Sequence, residues 1–193
     1  MKQINENEQL YSKTLEELWE LFPIILTAHQ AYWADWFDEE RQNLEHRLPA
    51  DEIVRISHIG STAVEGIWAK PIIDILLEVE VNCKISEIKK NILDAGYLLM
   101  SETEKRISFN KGYTLHGFAE RVFHLHLRFE GDNEELYFRD YLKTHFDVAR
   151  EYERLKLSLC KSYRHDRDGY TDKKTCFVMK YTEIGKSIYK GRY

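Results

Sequence analysis

Apolar positions along the chain follow two periods. In RVFHLHLRF, residues 121–129, every second residue is apolar. Phe123, Leu125, Leu127 and Phe129 therefore share one strand face, and Val122, His124, His126 and Arg128 the other. The β-branched run EIVRISHI at 52–59 and the run IIDILLEVEV at 72–81, entered at Pro71, also predict strands. From Tyr97 to Leu115 come shorter strand-like pieces with a turn at Gly112. Helical spacing governs the rest. Thr14 and Glu17 form a capping-box pattern opening a short helix ended by Pro23. Trp36, Phe37, Glu40, Leu44 and Leu48 predict a helix over 34–48, closed by Pro49. A second capping-box pattern, Thr62 with Glu65, predicts a short helix just after Gly60-Ser61. Ile88, Ile92, Leu93 and Ala95 share a helical face over 86–96, with Gly96 as the C-terminal stop. Beyond the turn at 131–133 the chain reads as helical to its end. Val148, Tyr152, Leu155 and Leu159 make one stripe, Asp168-Gly169 is a break, and Thr171 opens a last helix. Helices, a strand-rich middle and helices again predict an α+β fold in one compact unit.

Composition narrows the class. The 193 residues are enough for a sizeable core, and 43% hydrophobic with 32% charged is an ordinary globular balance. The longest apolar runs are strand-sized, short of the roughly 20 residues a membrane helix needs, so no membrane partner is expected. The opening MKQINENEQLYSK has no apolar core and predicts no secretory signal. Cys83, Cys160 and Cys176 lie far apart with no C-x-x-C pair, which argues against a zinc finger or disulfide framework and suits the cytoplasm. A net charge of −5 argues against duplex DNA as a partner. Its distribution says more: residues 1–138 carry 14 Lys/Arg against 25 Asp/Glu, and residues 139–193 carry 14 against 8. A basic final third beside an acidic front either frames an anionic ligand or reflects solvated helix faces.

The run at 72–81 contains a carboxylate that apolar packing does not explain. Asp74 and Glu78 project from one face, with Leu76 between them, while Ile73, Ile75, Leu77 and Val79 occupy the other. An unpaired buried carboxylate costs several kcal/mol or takes up a proton, so Asp74 needs a cation, a basic side chain or water beside it. Upstream, Gly60-Ser61 before a capped helix would present free N–H groups to a phosphate. A phosphate cradle beside a strand carboxylate is what phosphoryl and nucleotidyl transfer require.

These residues carry a family resemblance. HIGSTAVEGIWAKPIIDILLEV, followed in order by FHLHL, FRDYL, EYERLKLSL and YTDKKTCFV, resembles the GrpB family from about Trp19 to near the C-terminus. The resemblance implies a branch of the nucleotidyltransferase-like superfamily: a mixed sheet with helices on one side and a C-terminal helical region. It divides the chain into an extension over 1–22 with a short helix and a single domain over 23–193, with the sheet at about 50–130 and a helical cap at about 134–190. The chain departs from the superfamily pattern at one place. The second carboxylate of the usual Asp-x-Asp is Leu76 here.

His124 and His126 stand about 7 Å apart on one strand face, twice the strand rise. They either share a metal or hydrogen-bond neighbours on a polar sheet face. By resemblance their strand takes the place of a third carboxylate, which implies one mixed site at Asp74, His124 and His126. One Asp with two imidazoles suits Zn, Mn or Ni better than Mg, which prefers six oxygens. Gly60, Ser61, Thr62 and Lys70 are the expected phosphate contacts, with Arg139, Lys156 and Lys174 from the basic helices; Lys156 and Lys174 each follow a tyrosine by four residues. His58 and Glu78 are candidate cleft-lining residues. The expectation is metal-assisted nucleotidyl or phosphoryl transfer from a nucleotide or small phosphorylated ligand to a small acceptor, or else an inactive module that binds such an anion.

Overall fold

The alternating run at 121–129 lies at the centre of a sheet. The computed structural model describes residues 6–193, the Asn7 side chain excepted. Its strands are β1 (Ile53–Ile59), β2 (Ile73–Val79), β3 (Leu98–Glu102), β4 (Arg106–Thr114) and β5 (Gly117–Phe129), in the spatial order β1-β2-β5-β4-β3. Only β2 and β5 run parallel; the other neighbours are antiparallel, so the sheet is mixed. Seven helices complete the described residues: α1 (Glu6–Tyr11), α2 (Leu15–Leu21), α3 (Tyr32–Arg47), α4 (Ile85–Asp94), α5 (Glu134–Thr144), α6 (Phe146–Ser162) and α7 (Arg167–Ile188). The fold is α+β, as the order of elements predicts.

Period 2 explains which face is dry. Ile73, Ile75 and Leu77 of β2 and Leu125 and Leu127 of β5 pack against Trp33 and Leu44 of α3 and Ile88 and Ile92 of α4. Each fully buried side chain of this kind contributes about 1.5–3 kcal/mol. The opposite face of the same strands carries Asp74, His124 and His126, and the C-terminal helices close over it. Helices thus cover both faces, α3 and α4 on one and the C-terminal region on the other. Helix α6 and α7 bury Val148, Tyr152 and Tyr181 together with Val64 and Ile67 of the loop between β1 and β2.

Two local expectations are corrected. No α-helix follows Gly60-Ser61; the chain makes a three-residue 3-10 turn, Ser61–Ala63, without a side-chain cap. The Thr62 hydroxyl is committed elsewhere, donating to Ile72 O at 3.1 Å and lying 3.0 Å from His58 Nε2. Val64 and Ile67 are pulled under the C-terminal helices instead of continuing a helical period. Asp168-Gly169 is likewise no break. Helix α7 begins at Arg167, and the Asp166 side chain caps it by accepting from Gly169 N at 2.8 Å. The first-turn glycine leaves space for that carboxylate, since a Cβ at Gly169 would meet Asp166 Oδ2 at 2.3 Å. The capping box at Thr14 does form, with reciprocal bonds between Thr14 and Glu17.

Candidate metal and anion site

Parallel pairing sets the centre. Asp74 stands beside His124, and Leu76 beside His126, so one carboxylate faces two imidazoles across the β2–β5 ladder. Asp74 Oδ1 is 3.2 Å from His124 Nδ1 and 3.5 Å from His126 Nε2. One ligand atom from each residue falls within a 4.8 Å cluster. Two ligand atoms each about 2.0–2.2 Å from a tetrahedral zinc stand roughly 3.4 Å apart, so the Asp–His separations fit a borderline divalent metal. These three residues would supply three donors to such a metal and leave a further position for water or substrate, the pattern of catalytic rather than structural sites.

Gly60 brings the backbone against this centre. Its φ of 70° and ψ of −170° lie in a region open to glycine alone, and a Cβ there would sit 2.2 Å from Asp74 Oδ2. Desolvation opposes ionisation of Asp74, but the hydrogen bonds from His124 and His126 outweigh it and hold the carboxyl well below the usual range. Burial pushes His124 down to about 4, against the pull of Asp74 and helped by Arg167 and Lys70. At neutral pH the pair is a carboxylate beside a neutral imidazole.

Two cavities meet here. One, of about 300 Å³, is bounded by Gly60, Ser61 and Thr62 on the loop side and by Lys70, Lys156, Lys174 and Arg167 opposite. Burial lowers Lys70 and Lys156 to about 7, and crowding by Lys174 adds to it in both; Lys174 itself falls to about 8. Tyr170 lies between two of these cations, 5.4 Å from Lys70 Nζ and 4.4 Å from Lys174 Nζ. Lys156, only 2% exposed, donates to Trp68 O. The second cavity, about 520 Å³, shares Gly60, Asp74 and His126 with the first but is edged by Glu134, Glu135 and Glu183.

Three sequence candidates lie elsewhere. His58 pairs with Ile75, which puts it on the opposite sheet face, stacked on Phe37 of α3 at 4.8 Å. Glu78 shares the face of Asp74 but is 1% exposed, accepting from Asn133 at 2.9 Å with Arg55 at 3.2 Å. It is neither cleft-lining nor solvent-facing, because α5 covers that end of the strand. Arg139 donates to His58 O, Asp140 and the Tyr193 hydroxyl, which ties the C-terminus down rather than facing the cavity. Conversely, Tyr113 and Arg167 escaped the sequence reading. Both reach His124 Nε2, at 2.8 and 3.3 Å. Tyr113 follows the irregular pairing of β4 near Gly112, and Arg167 precedes the helix start expected at Thr171, so neither had a periodic signal.

The sheet and its polar centre define an α+β protein with an Asp–His–His cluster under a basic helical cover. Residues 23–183 match the family described as GrpB protein, and the chain belongs to that family. It is 36% identical over 161 residues to glutamate-rich protein GrpB of Alkalihalophilus pseudofirmus, covering 80% of this chain and 91% of that protein. It is 32% identical over 186 residues to the UPF0157 protein YqkA of Bacillus subtilis, covering 92% of this chain and 52% of that one. The crystal structure of conserved protein GrpB from Enterococcus faecalis is similar with a TM-score of 0.74 and 29% identity, over 86% of this chain and 99% of that one. No helix among the described residues is long and apolar enough to cross a membrane.

Proposed function

We propose that this protein transfers a nucleotidyl or phosphoryl group from a nucleotide or small phosphorylated donor to a small acceptor, at one divalent-metal site. The observation that carries this reading is the meeting of two cavities at Asp74 and His126, one lined by Lys70, Lys156, Lys174 and Arg167 and the other by apolar side chains with Arg106 and three glutamates. A simple anion receptor needs only the cationic one. A transfer enzyme needs donor and acceptor on either side of the reacting phosphorus. Asp74, His124 and His126 would hold the metal, which supplies charge neutralisation to the transferring phosphate. Lys70, Lys156 and Lys174 would bind phosphate oxygens, with Gly60 and Ser61 closing the loop side. All three lysines feel the one carboxylate of Asp74, and Lys156 donates to Trp68 O rather than to a carboxylate, which supports an anionic ligand as further counter-charge. Three thiols free of disulfides suit a reducing compartment, and we place the protein in the cytoplasm.

A second reading has its own observation. Leu76, at the position of the second carboxylate, is fully buried with Ile59 and Leu136, so β2 offers no second hard-cation ligand there. That favours a module that binds the anion without turnover. Thermal shift with Zn, Mn, Ni and Mg, each with nucleoside mono-, di- and triphosphates, tests binding; a ligand at a hundred times its Kd should add about 2.7 kcal/mol. Labelled nucleotide turnover then separates the readings. Binding without turnover under any metal selects the module, and no shift with any combination rejects both.

A further inference from the structure

We propose that Arg167 and a divalent cation compete for His124, so that an anion entering the cationic cavity must draw Arg167 away before His124 can become a ligand. This rests on the reading of Asp74, His124 and His126 as a metal site.

A guanidinium donates hydrogen bonds and accepts none. Arg167 Nη2, 3.3 Å from His124 Nε2, can donate there only while that nitrogen keeps its lone pair, which the Tyr113 hydroxyl at 2.8 Å also faces. In a neutral imidazole the proton then sits on Nδ1, where it is donated to Asp74 Oδ1 at 3.2 Å. Nδ1 is also the nitrogen that faces Asp74, and hence the one placed to ligate. The tautomer that satisfies Arg167 is the one that cannot bind metal through Nδ1.

Ligation requires the other tautomer. Nδ1 gives up its proton to solvent and Nε2 takes one, so the ring stays neutral and the count of protons is unchanged. A protonated Nε2 can donate to the Tyr113 hydroxyl at 2.8 Å, because a hydroxyl accepts as readily as it donates. It cannot donate to Arg167. Tyr113 accommodates both states and Arg167 only one. Tyr113 is thus a positioning residue for His124, the outer partner that fixes tautomer and ring orientation in metal sites.

The cavity supplies the release. Arg167 lines it together with Lys70, Lys156 and Lys174, and its guanidinium also rests 5.9 Å from the Tyr113 ring centre. A tetrahedral dianion there offers Arg167 a bidentate, charge-assisted pair, which outcompetes a single bond to a neutral imidazole. Anion and metal then bind cooperatively, and the coupling is reciprocal by linkage.

The test uses the whole chain, nickel as metal and sulfate as a dianion that complexes nickel weakly in solution. Titration calorimetry of the parent should show nickel binding tightened by sulfate, between about 5- and 150-fold. Arg167→Met should bind nickel tightly without sulfate and lose most of the sulfate effect. Tyr113→Phe, a change without charge, should weaken nickel binding in sulfate by about 10- to 100-fold. Nitrogen-15 spectra of the metal-free parent should show His124 protonated at Nδ1, the tautomer that lets Asp74 accept at one nitrogen and Arg167 donate at the other. His124 protonated at Nε2 in the metal-free protein overturns the proposal, and so does an Arg167→Met variant with the parent's sulfate dependence. A parent that binds no nickel in either condition rejects the metal reading itself and this proposal with it.

Discussion

A methyl group at residue 60 has nowhere to go. The left-handed φ at Gly60 costs a side chain of order 1–3 kcal/mol, and the added Cβ would overlap the Asp74 carboxylate. Gly60→Ala should therefore lower the melting temperature and abolish metal binding together. A variant that melts lower but titrates metal like the parent would show that Asp74 is not a ligand. The same centre shows what a sequence reveals. Asp74 stood out because nothing apolar explains it, and His124 and His126 because strand period puts them on one face. That Asp74 sits beside His124, 50 residues away, depends on the β2–β5 register, which no local pattern encodes. Period 2 assigns a face and not its cover. Glu78 lies on the face of Asp74 yet is sealed by Asn133 and Arg55, while His58 goes to the other face with Ile75.

Among the elements, α7 carries the most of the candidate site, with Arg167, Tyr170 and Lys174 in its first turns. Its position is set at its far end, where Gly185 packs on α5 so closely that a Cβ would lie 2.7 Å from Tyr137 O. Gly185→Ala gains about 0.8–1 kcal/mol in helix propensity but must push backbone against backbone, a strain of about 1–3 kcal/mol. The expected net is destabilisation by about 1 kcal/mol, read by urea denaturation. A stabilised variant would mean that α5 and α7 separate freely. Strands and long helices were legible because their periods are long enough to count. The turn after Gly60 and the start of α7 were not, since Thr62 and Asp166 look alike as cap residues in sequence. Only the fold shows that Thr62 bonds to Ile72 O and His58 while Asp166 caps.

Across the whole molecule, the charge asymmetry of the sequence is folded into one place. The basic final third sends Lys156, Arg167 and Lys174 over a sheet built by the acidic front, where they join Lys70. Folding without an anion is then opposed by protonated lysines in a confined space. Folded values of about 7 for Lys70 and Lys156 and about 8 for Lys174 lie below the 10.5 of an unfolded lysine. Between those limits the unfolded chain binds more protons, so stability should rise with pH from about 7 towards 10. On the acid side, His58 and His124 are held near 4 against 6.5 when unfolded, chiefly by burial. Stability should therefore also fall as pH drops from about 6.5 towards 4. An anion in the cavity reverses the lysine effect by favouring their charged forms, so its binding near pH 8 should take up protons. Calorimetry of sulfate binding in two buffers of different ionisation enthalpy measures that uptake, and Lys70→Met with Lys156→Met should remove most of it. If sulfate binds to the parent with no proton uptake at pH 8, the lysines are already charged there, and burial does not lower them to about 7 and 8.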